Sequence, residues 1–202
     1  MGKKCCFIGH RKVEKSEELL SRLDECLQKL IDDGVRIFLF GSRSEFDTLC
    51  YRQVTKLKEK YPDIKRIAYT CKSEYACKSE EKESLEQALM STTKRNESLK
   101  DYEGAVRAKR LERAGKASYV ERNEDMINAS EYCVFYYNPN YLPPKRKQSK
   151  SLVSEYQPPS GTSIAYEFAY QRKRIVKKLE IINLYDENGL PKVWWGKKRN
   201  NN

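Results

Sequence analysis

The sequence predicts an α/β protein of three layers, a mostly parallel sheet flanked by helices. Short apolar runs alternate with longer amphipathic stretches along the chain, as strand, helix, strand, helix. Two of the runs stop at glycine, in Cys5-Cys6-Phe7-Ile8-Gly9-His10-Arg11 and Ile37-Phe38-Leu39-Phe40-Gly41-Ser42-Arg43-Ser44. A buried parallel strand ends this way where the backbone turns tightly at the carboxyl edge of its sheet. A third glycine turn, Pro158-Pro159-Ser160-Gly161-Thr162, opens a helical pattern.

After the first strand, Ser16 is placed as an N-cap with Glu17 and Glu18 in the first turn. Leu19, Leu20, Leu23, Leu27, Leu30 and Ile31 then form one apolar stripe, and Gly34 ends the helix. The second strand, Val35 to Phe40, leads into a helix capped by Ser44. Asp47 stands at the capping-box distance, and Phe46, Leu49, Val54 and Leu57 face inward. Tyr61-Pro62-Asp63 breaks that helix, and residues 64–70 read as a third strand.

Residues 71–115 interrupt the alternation with a charged stretch holding few apolar residues, which predicts one or two exposed helices. A helix from Ser118 carries Val120, Met126, Ile127 and Ala129 into the most aromatic strand, residues 132–137. Residues 138–159 make a proline-punctuated basic loop. A helix from Thr162, with Ile164, Ala165, Phe168 and Ala169, precedes a last strand over 179–184. The expected organisation is one domain over residues 1–185, with a charged helical insertion at about 72–115, and a polar tail at 186–202.

The 202 residues carry a net charge of +11, 34% charged and 39% hydrophobic residues. Such a balance admits a nucleic acid, an anionic surface or a phosphorylated small molecule as partner. Much of the charge is interleaved, as in residues 94–113, and reads as a solvated helix face. Arg172-Lys173-Arg174 suits the negative end of a helix dipole. Lys145-Arg146-Lys147 and Lys197-Lys198-Arg199 lie in loop and tail and are the better footprints for a polyanion.

Seven cysteines, an odd number without a CxxC pair, argue against a disulfide framework and for a reducing compartment, taken as cytoplasmic. Cys5, Cys6 and Cys133 sit inside strand runs, where a thiol behaves as a small buried hydrophobe. One histidine and this cysteine spacing give no support to a metal site, and no cofactor is implied. No apolar run is long enough to span a bilayer, so no membrane partner is expected.

The three turns supply Gly9, His10, Arg11, Gly41, Ser42, Arg43, Ser160, Gly161 and Thr162 to one sheet edge, a pocket for an anion such as a nucleotide phosphate. At Ser160-Gly161-Thr162 the free N–H groups of a helix start and the positive end of its dipole meet a hydroxyl. His10 is placed to stack on a base, bond a phosphate or move a proton. Asp47 serves as a helix cap or a ribose contact. Tyr137 and Tyr141 are placed either in the core or stacked on a base.

Four motifs in order, Phe7-Ile8-Gly9-His10-Arg11, Phe40-Gly41-Ser42-Arg43-Ser44-Glu45-Phe46-Asp47, Ser118-Tyr119-Val120-Glu121-Arg122-Asn123 and Ser160-Gly161-Thr162, resemble the SLOG superfamily, most closely its YpsA-like branch. The resemblance runs from Cys5 to Leu184. It implies a Rossmann-like fold and a nucleotide-derived ligand, and adds Asn123 to the ligand-binding residues. Its relatives include LOG phosphoribohydrolases, the DNA-processing protein DprA and domains that sense NAD-derived signals. They commonly self-associate, so a homo-oligomer is among the implied partners.

LOG enzymes cleave a base from a ribose phosphate with an Arg before a strand and a Glu in a Pro-Gly-Gly-x-Gly-Thr-x-x-Glu motif. By that resemblance Arg122 falls at the Arg position. The Glu position is Ala165, and Glu167 follows two residues later, about 200° around the helix. Glu167 and Glu121 are the remaining candidates for the carboxylate that glycosidic cleavage needs. The first expectation is therefore a module that binds or senses a nucleotide or NAD-derived molecule. The alternatives are a nucleotide N-glycosidase using Arg122 with Glu167 or Glu121, and a DprA-like DNA-binding protein using Lys145, Arg146, Lys147 and the tail.

Overall fold

The computed structural model describes residues 2–14, 16–41, 44–71, 99–107, 116–141, 159–176 and 178–185. In chain order these form β1 (Lys3–Gly9), α1 (Glu17–Asp32), β2 (Val35–Phe40), α2 (Glu45–Lys60), β3 (Lys65–Thr70) and β4 (Gly104–Arg107). There follow α3 (Lys116–Asn128), β5 (Tyr132–Tyr136), α4 (Gly161–Ile175) and β6 (Glu180–Asn183). The six described strands form one sheet in the order β4-β3-β2-β1-β5-β6, and every neighbouring pair is parallel.

Residue alternation along the strands explains why they read as unbroken apolar runs. Cys5 and Phe7 point into a core built with Leu19, Leu23 and Leu27 of α1 and Phe46 of α2. Cys6 and Ile8 point the opposite way, into a second core with Met126 and Ile127 of α3 and Ala165 and Ala169 of α4. Both faces of the sheet are covered, so neither set of side chains can be polar. The result is the expected three-layer α/β fold. Burial pushes the Cys5, Cys50 and Cys133 thiols well above their ordinary pKa, and that of Cys26 to about 12, so they pack as neutral hydrophobes.

Three serines start three helices. The hydroxyls of Ser16, Ser44 and Ser160 accept the backbone N–H of Leu19, Asp47 and Ser163, each at 3.1 Å. Gly34, with φ of 90°, closes α1 in the left-handed region that glycine alone enters cheaply. Leu20 is only half-buried, and Cys26 supplies the missing part of the α1 stripe.

One correction falls in the charged stretch assigned to helices. Residues Gly104–Arg107 are instead the edge strand β4, pairing Ile67 with Gly104 and Thr70 with Arg107. Four residues, with Ala105 and Val106 exposed, carry neither a strand's apolar run nor a helix's stripe. The remainder of the insertion (72–98 and 108–115), most of the basic loop (142–158) and the tail (186–202) lie outside the described residues.

The strand order places the topological switch point. From β1 the chain builds outward through β2, β3 and β4, then returns to the other side of β1 with β5 and β6. Crossovers leaving β1 and β5 therefore diverge, the arrangement that in open α/β sheets sets a crevice beyond the carboxyl ends of two such strands.

Candidate functional site

Gly9 ends β1 and Gly41 follows β2. Among the described residues only Gly34 has a positive φ, so the expected left-handed need for glycine is absent at both positions. What they provide is clearance. A Cβ on Gly9 would lie 2.4 Å from Cδ1 of Phe46, and one on Gly41 would lie 2.4 Å from Sδ of Met126 and 2.9 Å from Nε of Arg122. Glycine lets α2 close over the end of β1 and α3 over the end of β2.

His10 follows Gly9 into the crevice. Its N–H donates to the Tyr136 carbonyl at 3.3 Å, carrying the β1–β5 ladder one step beyond the sheet. Its ring is 3% exposed, lies 4.2 Å from the Tyr141 ring and 6.0 Å from that of Tyr137, and accepts the Asn138 N–H at Nε2 (3.0 Å). Because Nε2 is an acceptor, the neutral ring carries its proton on Nδ1. That buried nitrogen has no hydrogen-bond partner among the described residues. Burial pushes the His10 pKa below the ordinary histidine value, and charging the ring would turn Nε2 into a second donor facing the Asn138 N–H. His10 is thus held by the fold as a neutral ring in one tautomer.

The loop after His10 is tied to α2. The Arg11 carbonyl accepts the Glu45 N–H, and Oε2 of Glu45 accepts the Val13 N–H, both at 3.0 Å. The Arg11 side chain is left exposed. Glu45 was not among the expected site residues, because a glutamate in the first turn of a helix looks like an ordinary dipole partner. Only the folded loop shows that it holds β1's extension in place.

Arg122 is 2% exposed, with its guanidinium 5.2 Å from the Tyr119 ring centroid and Nε beside Gly41. Asn123 is also buried, while Glu121 is half-buried with a buried Oε2 that has no partner among the described residues. Asp47 is buried in the first turn of α2, its own N–H satisfied by Ser44. Its charge adds to burial in pushing up the Cys50 thiol and the Tyr102 phenol, so it faces the protein interior on the α1/α2 side.

Ser160 is a working N-cap, Thr162 is buried, and Gly161 faces open space, with no atom within 4 Å of where a Cβ would stand. Glu167 is exposed farther along α4, where it lines an open pocket of about 360 Å3 with Tyr137, Tyr166, Tyr170 and Gln171. Arg122 beside β2 and Glu167 beside the end of β5 are associated with strands on opposite sides of β1, strands roughly 10 Å apart. Ser42 and Arg43 lie outside the described residues. Among the described residues no cluster has the makings of a metal site, and no helix is long and apolar enough to cross a membrane.

Asn183 is a second residue that the sequence did not single out. Its side chain accepts the Tyr137 N–H and donates to the Tyr137 carbonyl, each at 3.0 Å, extending the β5–β6 pairing beyond the last strand residue. This amide clamp fixes the backbone of the tyrosine that lies between His10 and the α4 pocket.

The model of the YspA SLOG family (YpsA) matches residues 7–166, most of the chain and all four motifs in full. No curated protein matches the chain.

Proposed function

The chain belongs to the YspA SLOG family, and from that premise we propose that it binds a nucleotide or NAD-derived small molecule at the carboxyl edge of the sheet. The observation that carries this reading is His10 at the β1–β5 switch point, buried, neutral and directing an Nδ1–H with no partner among the described residues. A phosphate or ribose oxygen in the crevice would accept that proton. The dipole and N–H groups of the α4 start favour the same anionic ligand, by about 0.3 to 2 kcal/mol for the dipole alone. Tyr141 and Tyr137, whose rings are tilted against that of His10, offer aromatic surface to a base.

Buried Arg122 at the end of β2 keeps N-glycosidic cleavage as a second reading, with Glu167 or Glu121 as the carboxylate. The exposed position of Glu167, in a pocket of its own on α4, favours binding over cleavage. Calorimetry with AMP, other nucleoside monophosphates and NAD tests the first reading, and chromatography of the same mixtures for free base tests the second. Saturable binding without release supports a binding module. Release lost in Arg122→Ala and Glu167→Gln moves the assignment to an enzyme. Neither binding nor release overturns both.

A further inference from the structure

The pocket on α4 is built from two adjacent helix ridges. Tyr166 and Tyr170 are four residues apart and form an aromatic wall, while Glu167 and Gln171, also four apart, form a polar rim beside it. The wall continues through Tyr137, whose ring stacks on that of Tyr166 at 4.5 Å and 25°, with Tyr166 seated edge-on against buried Phe135 at 5.1 Å. Tyr170 stands 58% exposed and has no ring partner among the described residues. Burial, with the Tyr137 and Tyr170 phenols alongside, pushes the Tyr166 hydroxyl up and keeps it a protonated donor.

This pocket connects to the switch point through one residue. Tyr137 lies with its ring 6.0 Å from that of His10 on one side and stacks on Tyr166 on the other, and Asn183 fixes its backbone between them.

We propose that the α4 pocket is a nucleobase subsite selective for guanine, formed by the Tyr137, Tyr166 and Tyr170 rings with Glu167 and Gln171 at its rim. The proposal rests on the carboxyl edge being a nucleotide site. A carboxylate accepts two parallel N–H bonds. Guanine presents such a pair, N1–H beside the N2 amino group, with O6 next to them for the Gln171 amide to reach. Adenine and cytosine put a ring-nitrogen lone pair beside their single amino group, and the carboxylate repels it. Uracil flanks its one N–H with two carbonyls.

The test measures binding of GMP, AMP and ribose 5-phosphate to the whole protein and to Glu167→Gln and Tyr170→Ala. The expected results are GMP at least about tenfold tighter than AMP, and loss of that preference in Glu167→Gln with ribose 5-phosphate binding unchanged. Tyr170→Ala weakens GMP about tenfold for the lost stacking surface. Equal binding of GMP and AMP, or equal weakening of all three ligands in Glu167→Gln, overturns the base pocket while leaving the edge site standing. Absence of binding by all three overturns the edge site and the pocket together.

Discussion

The backbone N–H of Asn138 donates to Nε2 of His10 across 3.0 Å, joining the residue after β1 to the loop after β5. This bond fixes the imidazole tautomer and with it the character of the crevice, because the proton must then sit on Nδ1. It also makes the ring's charge state a stability matter.

The sign follows from the depressed His10 pKa. Above the ordinary value of 6.5 the ring is neutral in the folded and unfolded chain alike. As pH falls below that value the unfolded chain takes up a proton that the folded chain refuses, so stability declines down to and through the folded pKa. Urea unfolding from pH 7.5 to 5 should show this decline and a flatter profile in His10→Asn. Equal slopes in the two proteins would mean that His10 is not held neutral by the fold.

The three site glycines should respond differently to alanine. Gly9→Ala meets Phe46 and Gly41→Ala meets Met126 and Arg122, so each is expected to lose about 1 to 3 kcal/mol through overpacking. Gly161→Ala meets nothing, and the better helix former should leave stability unchanged or raise it by up to about 1 kcal/mol. Thermal denaturation of the three variants checks the ranking.

Glu45→Ala removes the acceptor for the Val13 N–H and loosens the loop at Val13, while the backbone bond from residue 45 to the Arg11 carbonyl remains. A cost of about 1 kcal/mol or more is expected, with faster amide exchange at Val13 and weaker ligand binding. Unchanged exchange at Val13 would show that the clamp does not hold the loop.

The fold was legible where a local pattern has one meaning. Cys5 to Gly9 and Val35 to Phe40 read as buried strands because apolar side chains on both faces admit little else. Ser16 and Ser44 read as caps because the hydroxyl and the amide it serves are three residues apart. β4 escaped notice because an edge strand of four residues buries too little to leave a pattern. The site was legible in its membership more than its reasons. Gly9 and Gly41 suggested tight turns, whereas their role is set by Phe46, Met126 and Arg122, contacts made only once helices pack on the sheet. Asn183 and the Tyr137–Tyr166 stack join residues 46 and 29 positions apart, separations at which sequence periodicity carries no information.

His10 is the one histidine in the chain, so its imidazole gives a single set of ring resonances. Nitrogen-detected NMR of that ring during titration with nucleoside monophosphates tests the central claim most directly. The free protein should show the neutral Nδ1–H tautomer, and the Nδ1 signal should shift saturably as ligand binds. A ligand that binds while the His10 signals stay still, or a ring protonated at Nε2, would contradict a nucleotide site at the β1–β5 switch point.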